Sequence, residues 1–138
     1  NHVVQIGISA TAASFNNIGW GESQGVRIIR IEELFDRGIA AVMEEARSIV
    51  GDRPTYCSFD IDFVDPTYAP GTGTPEIGGP NAFQAQQVIR ELRGVDIVGA
   101  DLVEVSPPFD PSGGTAWLGV SLIFELMCVL AESIDRRR

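Results

Sequence analysis

The chain has no lysine, a single histidine, two cysteines and no long unbroken run of apolar residues. Each shortage narrows the field. All ten basic residues are arginine, and against nineteen acidic residues they leave a net charge of −9. A surface that acidic argues against nucleic acid or anionic membrane as a partner and is compatible with cationic substrates or metal ions. Cys57 and Cys128 lie in apolar runs without metal-type spacing, so both are expected as buried free thiols in a reducing, cytoplasmic compartment. No stretch reaches about 18 apolar residues without a break, and no charged segment precedes a hydrophobic run near the start. Neither a membrane span nor an export signal is therefore expected.

What is present is 138 residues of ordinary globular composition, read as one domain over 1–138. A chain of that size buries roughly two-thirds of its unfolded surface. Val3 to Ser9 (VVQIGIS) suits a buried strand; it starts almost at residue 1, as in a piece of a longer chain. Thr11 to Gly25 is rich in Gly, Asn and Ser and reads as a loop, with Phe15 and Trp20 expected to pack. Val26 to Ile31 reads as a second strand. Ile31, Leu34, Phe35, Ile39, Val42, Ala46 and Ile49 then recur at helical spacing and predict one helix to about Val50, stopped by Gly51. Further on, Asn81 caps a helix through about Arg93, Val95 to Val105 forms a strand, and Thr115 to Ile134 forms a helix that frays into a basic end. Strands alternating with helices in this way predict an α/β fold with a parallel sheet covered on both sides.

The most informative stretch is Thr55 to Gly79 (TYCSFDIDFVDPTYAPGTGTPEIGG). Its first half is apolar and β-prone, and it carries Asp60 and Asp62 at a spacing of two. On a strand these share a face, roughly 6.5–7 Å apart along the chain. Like charges forced together in a poorly solvated place must share a proton or a cation. Its second half is a Pro/Gly/Thr loop after a buried strand, where α/β proteins place their chemistry. The bland alternative is an incidental pair, one acid capping a helix and the other facing solvent, but the apolar flanks and the loop disfavour it. Three functional classes remain: a two-metal hydrolase, an aspartyl-phosphate phosphatase with an Asp-x-Asp nucleophile motif, and a non-catalytic binding or assembly module. The phosphatase class requires a downstream lysine, which this chain lacks.

Ser58-Phe59-Asp60-Ile61-Asp62, followed by Pro66, Pro70-Gly71 and Gly79, resembles the signature of the ureohydrolase family, which includes arginase, agmatinase and guanidinobutyrase. The resemblance continues through Gly99 to Asp110 (GADLVEVSPPFD), is closer to agmatinase than to arginase, and covers essentially the whole chain. It implies a three-layer α/β/α fold and hydrolysis of the guanidino group of agmatine, or a related compound such as 4-guanidinobutanoate, to urea and an amine. It implies that Asp60 and Asp62 ligate a pair of Mn2+ ions and so carry the catalysis. Glu104 would receive the substrate guanidinium, and Thr74 would be a loop hydroxyl near the substrate. A cytoplasmic homo-oligomer, trimer or hexamer, is implied as well.

The departures are as specific. The family's other ligand motifs, Gly-Gly-Asp-His and Asp-Ala-His-x-Asp, do not occur here, and by the resemblance they lie upstream of residue 1. The chain thus resembles the C-terminal half of a ureohydrolase. His2 stands outside any motif and is not expected as a ligand. No Arg stands near Ile8-Ser9-Ala10, where relatives often carry one. The alternative reading is a catalytically inactive fragment or assembly subunit of the same fold.

Overall fold

A computed structural model of the chain describes residues 2–9 and 15–138. It divides into two compact units, Asn1–Gly51 and Asp52–Arg138.

The first unit holds strands β1 (Val4–Ile8) and β2 (Arg27–Arg30) and helices α1 (Phe15–Ser23), α2 (Ile31–Arg37) and α3 (Ile39–Val50). The two strands pair in parallel, Val4 opposite Arg27 and Ile6 opposite Ile29, with an irregularity before Ile8. Ile28, Ile29, Leu34, Val42, Met43 and Ala46 are buried. Three expectations fail here. The segment expected as a loop contains α1, because packing overrides weak local propensity. Gly21 lies so close to β2 that a Cβ there would stand 3.0 Å from the Ile28 side chain. Trp20 does not pack: it is 69% exposed, while residues 11–14 and the Phe15 side chain lie outside the described residues. The single helix expected from Ile31 to Val50 is two, because Gly38 adopts φ 81° and ψ 153°, which no helix accommodates. Apolar periodicity runs through that break unaltered, and Phe35 is exposed. Arg27 and Arg37 each bridge Glu33 and Glu45, tying β2, α2 and α3 together.

The second unit holds β3 (Thr55–Asp60), α4 (Ala82–Arg90), β4 (Ile97–Val103) and α5 (Gly114–Arg136), with short 3-10 turns at Ile61–Phe63 and Pro107–Phe109. The strands β3 and β4 pair in parallel, with Ser58 opposite Asp101 and Asp60 opposite Val103. As expected, Asn81 caps α4. Its side chain accepts from the Gln84 amide at 2.8 Å, and the Gln84 side chain accepts from the Asn81 amide at 2.9 Å.

Helix α5 packs on β4 and α4. The stripe Thr115, Gly119, Leu122, Leu126, Val129 and Ser133 is buried, and Gly119 brings the helix close to Leu102. Ile123 and Ile134 are exposed, as are Trp117, Phe124 and Met127; Phe83 on α4 is exposed too. Being apolar around most of its circumference, α5 is long and apolar enough to cross a membrane by length and composition alone, although acidic residues interrupt its apolar runs. The helix packs within the fold all the same: Glu125 and Glu132 pair with Arg90 and Arg93. Nor does its basic end fray. Arg136 donates to the Val95 carbonyl at 2.7 Å, and Arg137 donates to Asp96 and to the Ile97 carbonyl. Cys128, expected buried, is exposed.

The N-terminus of α5 is held by Asp110, whose carboxylate accepts from the Thr115 amide at 3.1 Å and the Ala116 amide at 2.9 Å. These bonds, the Ala116 amide foremost, hold the carboxyl below its usual range. A carboxyl with a depressed folded-state pKa adds stability above its unfolded pKa, and that stability disappears as pH falls through the folded value. Asp110→Asn is therefore expected to lower the thermal midpoint at neutral pH. In melts followed by circular dichroism, the gap from the parent should narrow below about pH 4.

Candidate active site

Strand β3 does not continue to Asp62 as its alternation suggested; it ends at Asp60. Ile61 is fully buried, and the chain turns through Ile61–Phe63 so that Val64 is buried as well. Asp60 caps this turn, its Oδ1 accepting from the Asp62 amide at 2.9 Å. The two carboxylates are neighbours all the same, through a capped turn instead of through strand alternation. Asp62 Oδ2 accepts from the Thr74 hydroxyl, while Asp62 Oδ1 is buried with no hydrogen-bond partner.

Thr74 reaches Asp62 from the Pro/Gly/Thr loop, which is fastened at three places. At its ends, Asp65 Oδ1 accepts from the Thr67 amide and Oδ2 from the Gly78 amide, both at 2.9 Å. The Asp65 amide donates to the Pro80 carbonyl at 3.0 Å. Thr67, through hydroxyl and amide, and the Gly78 amide hold the Asp65 carboxyl below the usual range. Gly79 passes so near Phe63 and Asp65 that a Cβ would lie 2.5 Å from the Phe63 carbonyl oxygen. In the middle, the Gly71 amide donates to the buried Thr115 hydroxyl of α5 at 2.8 Å, with no room for a side chain beside Asp110. Gly71 also accepts from the Ser106 amide at 2.8 Å.

The third fastening brings in Glu104. This residue follows β4 and has φ 69°, alone among the described non-glycine residues in having a positive φ. Its carbonyl accepts from the Thr72 hydroxyl at 2.9 Å, beside a bridge between Thr72 and Val105. A glutamate in the left-handed region carries strain of roughly 1–2 kcal/mol. Its carboxylate belongs to the same field as the aspartates. Burial raises the Asp60 pKa despite the Asp62 amide, and the charges of Asp62 and Glu104 raise it further.

The fold therefore brings together all four residues singled out from sequence: Asp60, Asp62, Thr74 and Glu104. Asp65, Thr72, Thr115 and Asp110 were not singled out. An Asp-Pro step signals a turn, but nothing local shows that the Asp65 carboxylate closes both ends of a loop. His2 belongs to the first unit, its Nδ1 bonded to the Ile49 carbonyl. Cys57 is no nucleophile, because burial pushes its thiol up to about 11, with the Asp101 charge adding to the effect.

Paired carboxylates with one buried, unpartnered oxygen suit a hard divalent cation such as Mn2+ or Mg2+. Among the described residues no group of three or more His, Cys, Asp or Glu converges on such a position. Asp60 and Asp62 therefore fit as part of a donor set.

Comparison with known proteins is consistent along the chain. The profile of the arginase family matches residues 1–129. The chain is 54% identical over 133 residues to a guanidinopropionase from Pseudomonas aeruginosa, covering 96% of the chain and 42% of that protein. It is 46% identical over 136 residues to a guanidinobutyrase from the same organism, covering 99% and 43%. In structure it resembles proclavaminate amidino hydrolase from Streptomyces clavuligerus, with a TM-score of 0.86, 36% identity and coverage of 94% and 42%. The expected α/β fold is thus that of an arginase-type enzyme, with parallel strands and helices fitting a three-layer α/β/α arrangement. The chain spans about two-fifths of the length of these relatives.

The left-handed backbone at Glu104 gives a direct test of the geometry. Glu104→Gly is expected to raise unfolding stability by about 1 kcal/mol in denaturant titrations, because glycine adopts that φ without strain. A lower midpoint would mean that the Glu104 side chain contributes more by packing than its backbone costs.

Proposed function

The chain belongs to the arginase family, and from that membership we propose that it supplies part of the active site of an enzyme that hydrolyses a linear guanidino compound to urea and an amine. The observation that carries the reading is the buried, unpartnered Oδ1 of Asp62, set beside Asp60 with Glu104 in the same field. Like charges brought together in this way are stable when a cation stands between them. Mn2+ fits the oxygen donors, and when bound a pair of such ions supplies a water acidic enough to lose its proton near neutral pH. Asp60 and Asp62 would hold their share of that site. Glu104, at the end of the neighbouring strand, accepts the paired N–H donors of the planar guanidinium and turns its carbon toward the aspartates.

The substrate class is agmatine or a guanidino acid such as 4-guanidinobutanoate. The names of the two Pseudomonas relatives favour a guanidino acid. Action in the cytoplasm and assembly with further copies of the chain complete the reading. The rival, an inactive fragment or assembly subunit, is separated from it by the same measurements.

Asp60→Asn and Asp62→Asn, made in the protein as its source expresses it, are each expected to weaken Mn2+ binding and urea release together, by tenfold or more. Full activity with unchanged metal content in either variant would remove that residue from the ligand set. Glu104→Gln should behave differently: metal content unchanged and kcat/KM for the guanidino substrate lower by about tenfold or more, as a charge-assisted contact becomes neutral. Loss of metal in that variant would move Glu104 among the ligands instead.

A further inference from the structure

Thr74 lies in the loop and, by the resemblance, would stand near the substrate. Its hydroxyl, however, is committed elsewhere: Oγ1 donates to Asp62 Oδ2. Each aspartate uses one oxygen on the protein. Asp60 Oδ1 takes the Asp62 amide, and Asp62 Oδ2 takes Thr74. Asp62 Oδ1 is what remains, buried and without a partner. The loop carrying Thr74 is closed at both ends on Asp65 and fastened in the middle to Thr115 and Glu104, so the hydroxyl is delivered from a fixed place. From this geometry we infer that Thr74 is a positioning residue: through Asp62 Oδ2 it fixes the rotation of the carboxylate and presents Oδ1 to the divalent cation, with Asp65 holding the loop that makes this possible.

The chemistry requires such a device. A free aspartate rotates about χ2 at little cost, and beside Asp60 repulsion would turn Asp62 toward water. A hydroxyl donor on one oxygen removes that freedom before the cation arrives, and preorganisation of this kind shows in affinity. Thr74 itself is exposed, so its replacement need not disturb the core.

The inference rests on the reading of Asp60 and Asp62 as cation ligands, and the test separates the two. Mn2+ binding, followed by the loss of the free-ion paramagnetic resonance signal, is compared for the parent, Thr74→Val, Thr74→Ser and Asp62→Asn, each in the protein as its source expresses it. Thr74→Val removes the donor while keeping the shape, and is expected to raise the Mn2+ dissociation constant about tenfold. Thr74→Ser restores the donor and should return it to the parent value. Unchanged Mn2+ affinity in Thr74→Val, with Asp62→Asn weakened, overturns the inference alone, as does a Thr74→Ser variant that binds Mn2+ no more tightly than Thr74→Val. Unchanged affinity in Asp62→Asn overturns the ligand reading and the inference with it. Amide exchange read over residues 72–79 supplies a second arm: Asp65→Asn should speed it and also weaken Mn2+ binding, whereas faster exchange with parent-like binding overturns the part assigned to Asp65.

Discussion

Two negative charges held against each other are the constraint on which the rest of this structure turns. Asp60 and Asp62 are separated by one residue, Ile61, which is fully buried and cannot be moved without opening the core. The backbone therefore cannot relieve the repulsion by carrying the carboxylates apart. Hydrogen bonding softens it in part: the Asp62 amide lies on Asp60 and the Thr74 hydroxyl on Asp62. Neither bond supplies a countercharge. The charges of Asp62 and Glu104 still act on Asp60, which gives an acidic, lysine-free chain a local concentration of negative charge.

Around this focus the acids take different roles according to what faces them. Glu33 and Glu45 meet two arginines and serve as ties between elements, with pKa values lowered by the Arg27 hydrogen bond first. Asp65 and Asp110 meet backbone amides and organise a loop and a helix end. Asp60 has its burial and two neighbouring acids against it, and only one amide in its favour. All five are carboxylates; the surroundings decide whether each one staples, caps or faces other acids.

Much of the fold could be read from periodicity and caps. The strands lie within a residue or two of the limits that spacing predicts, β4 being two residues shorter at each end, and the Asn81 cap is legible because its signal is local. The errors share a different origin. Gly38 breaks a helix whose apolar spacing is continuous, and spacing carries no record of φ. Helix α1 forms from residues of poor propensity because it packs against β2, a contact invisible in any local window. The site was legible to the extent that its residues lie in one motif-bearing stretch and its partner strand. How they meet was not: Asp60 and Asp62 are joined by a turn where alternation predicted a strand. The clamps at Asp65 and Thr115 act across 13 and 44 residues, distances over which sequence spacing says nothing.

The fastening of Gly71 to Thr115 also has a temporal side. The loop precedes its anchor in the chain, and the anchor exists only once the start of α5 has formed and docked on β4. A ribosome makes the loop first, and domains gain their long-range contacts late. While the chain emerges, the two aspartates therefore exist without the fastening that delivers Thr74 to Asp62, so the arrangement of this corner is among the last parts of the fold to be completed.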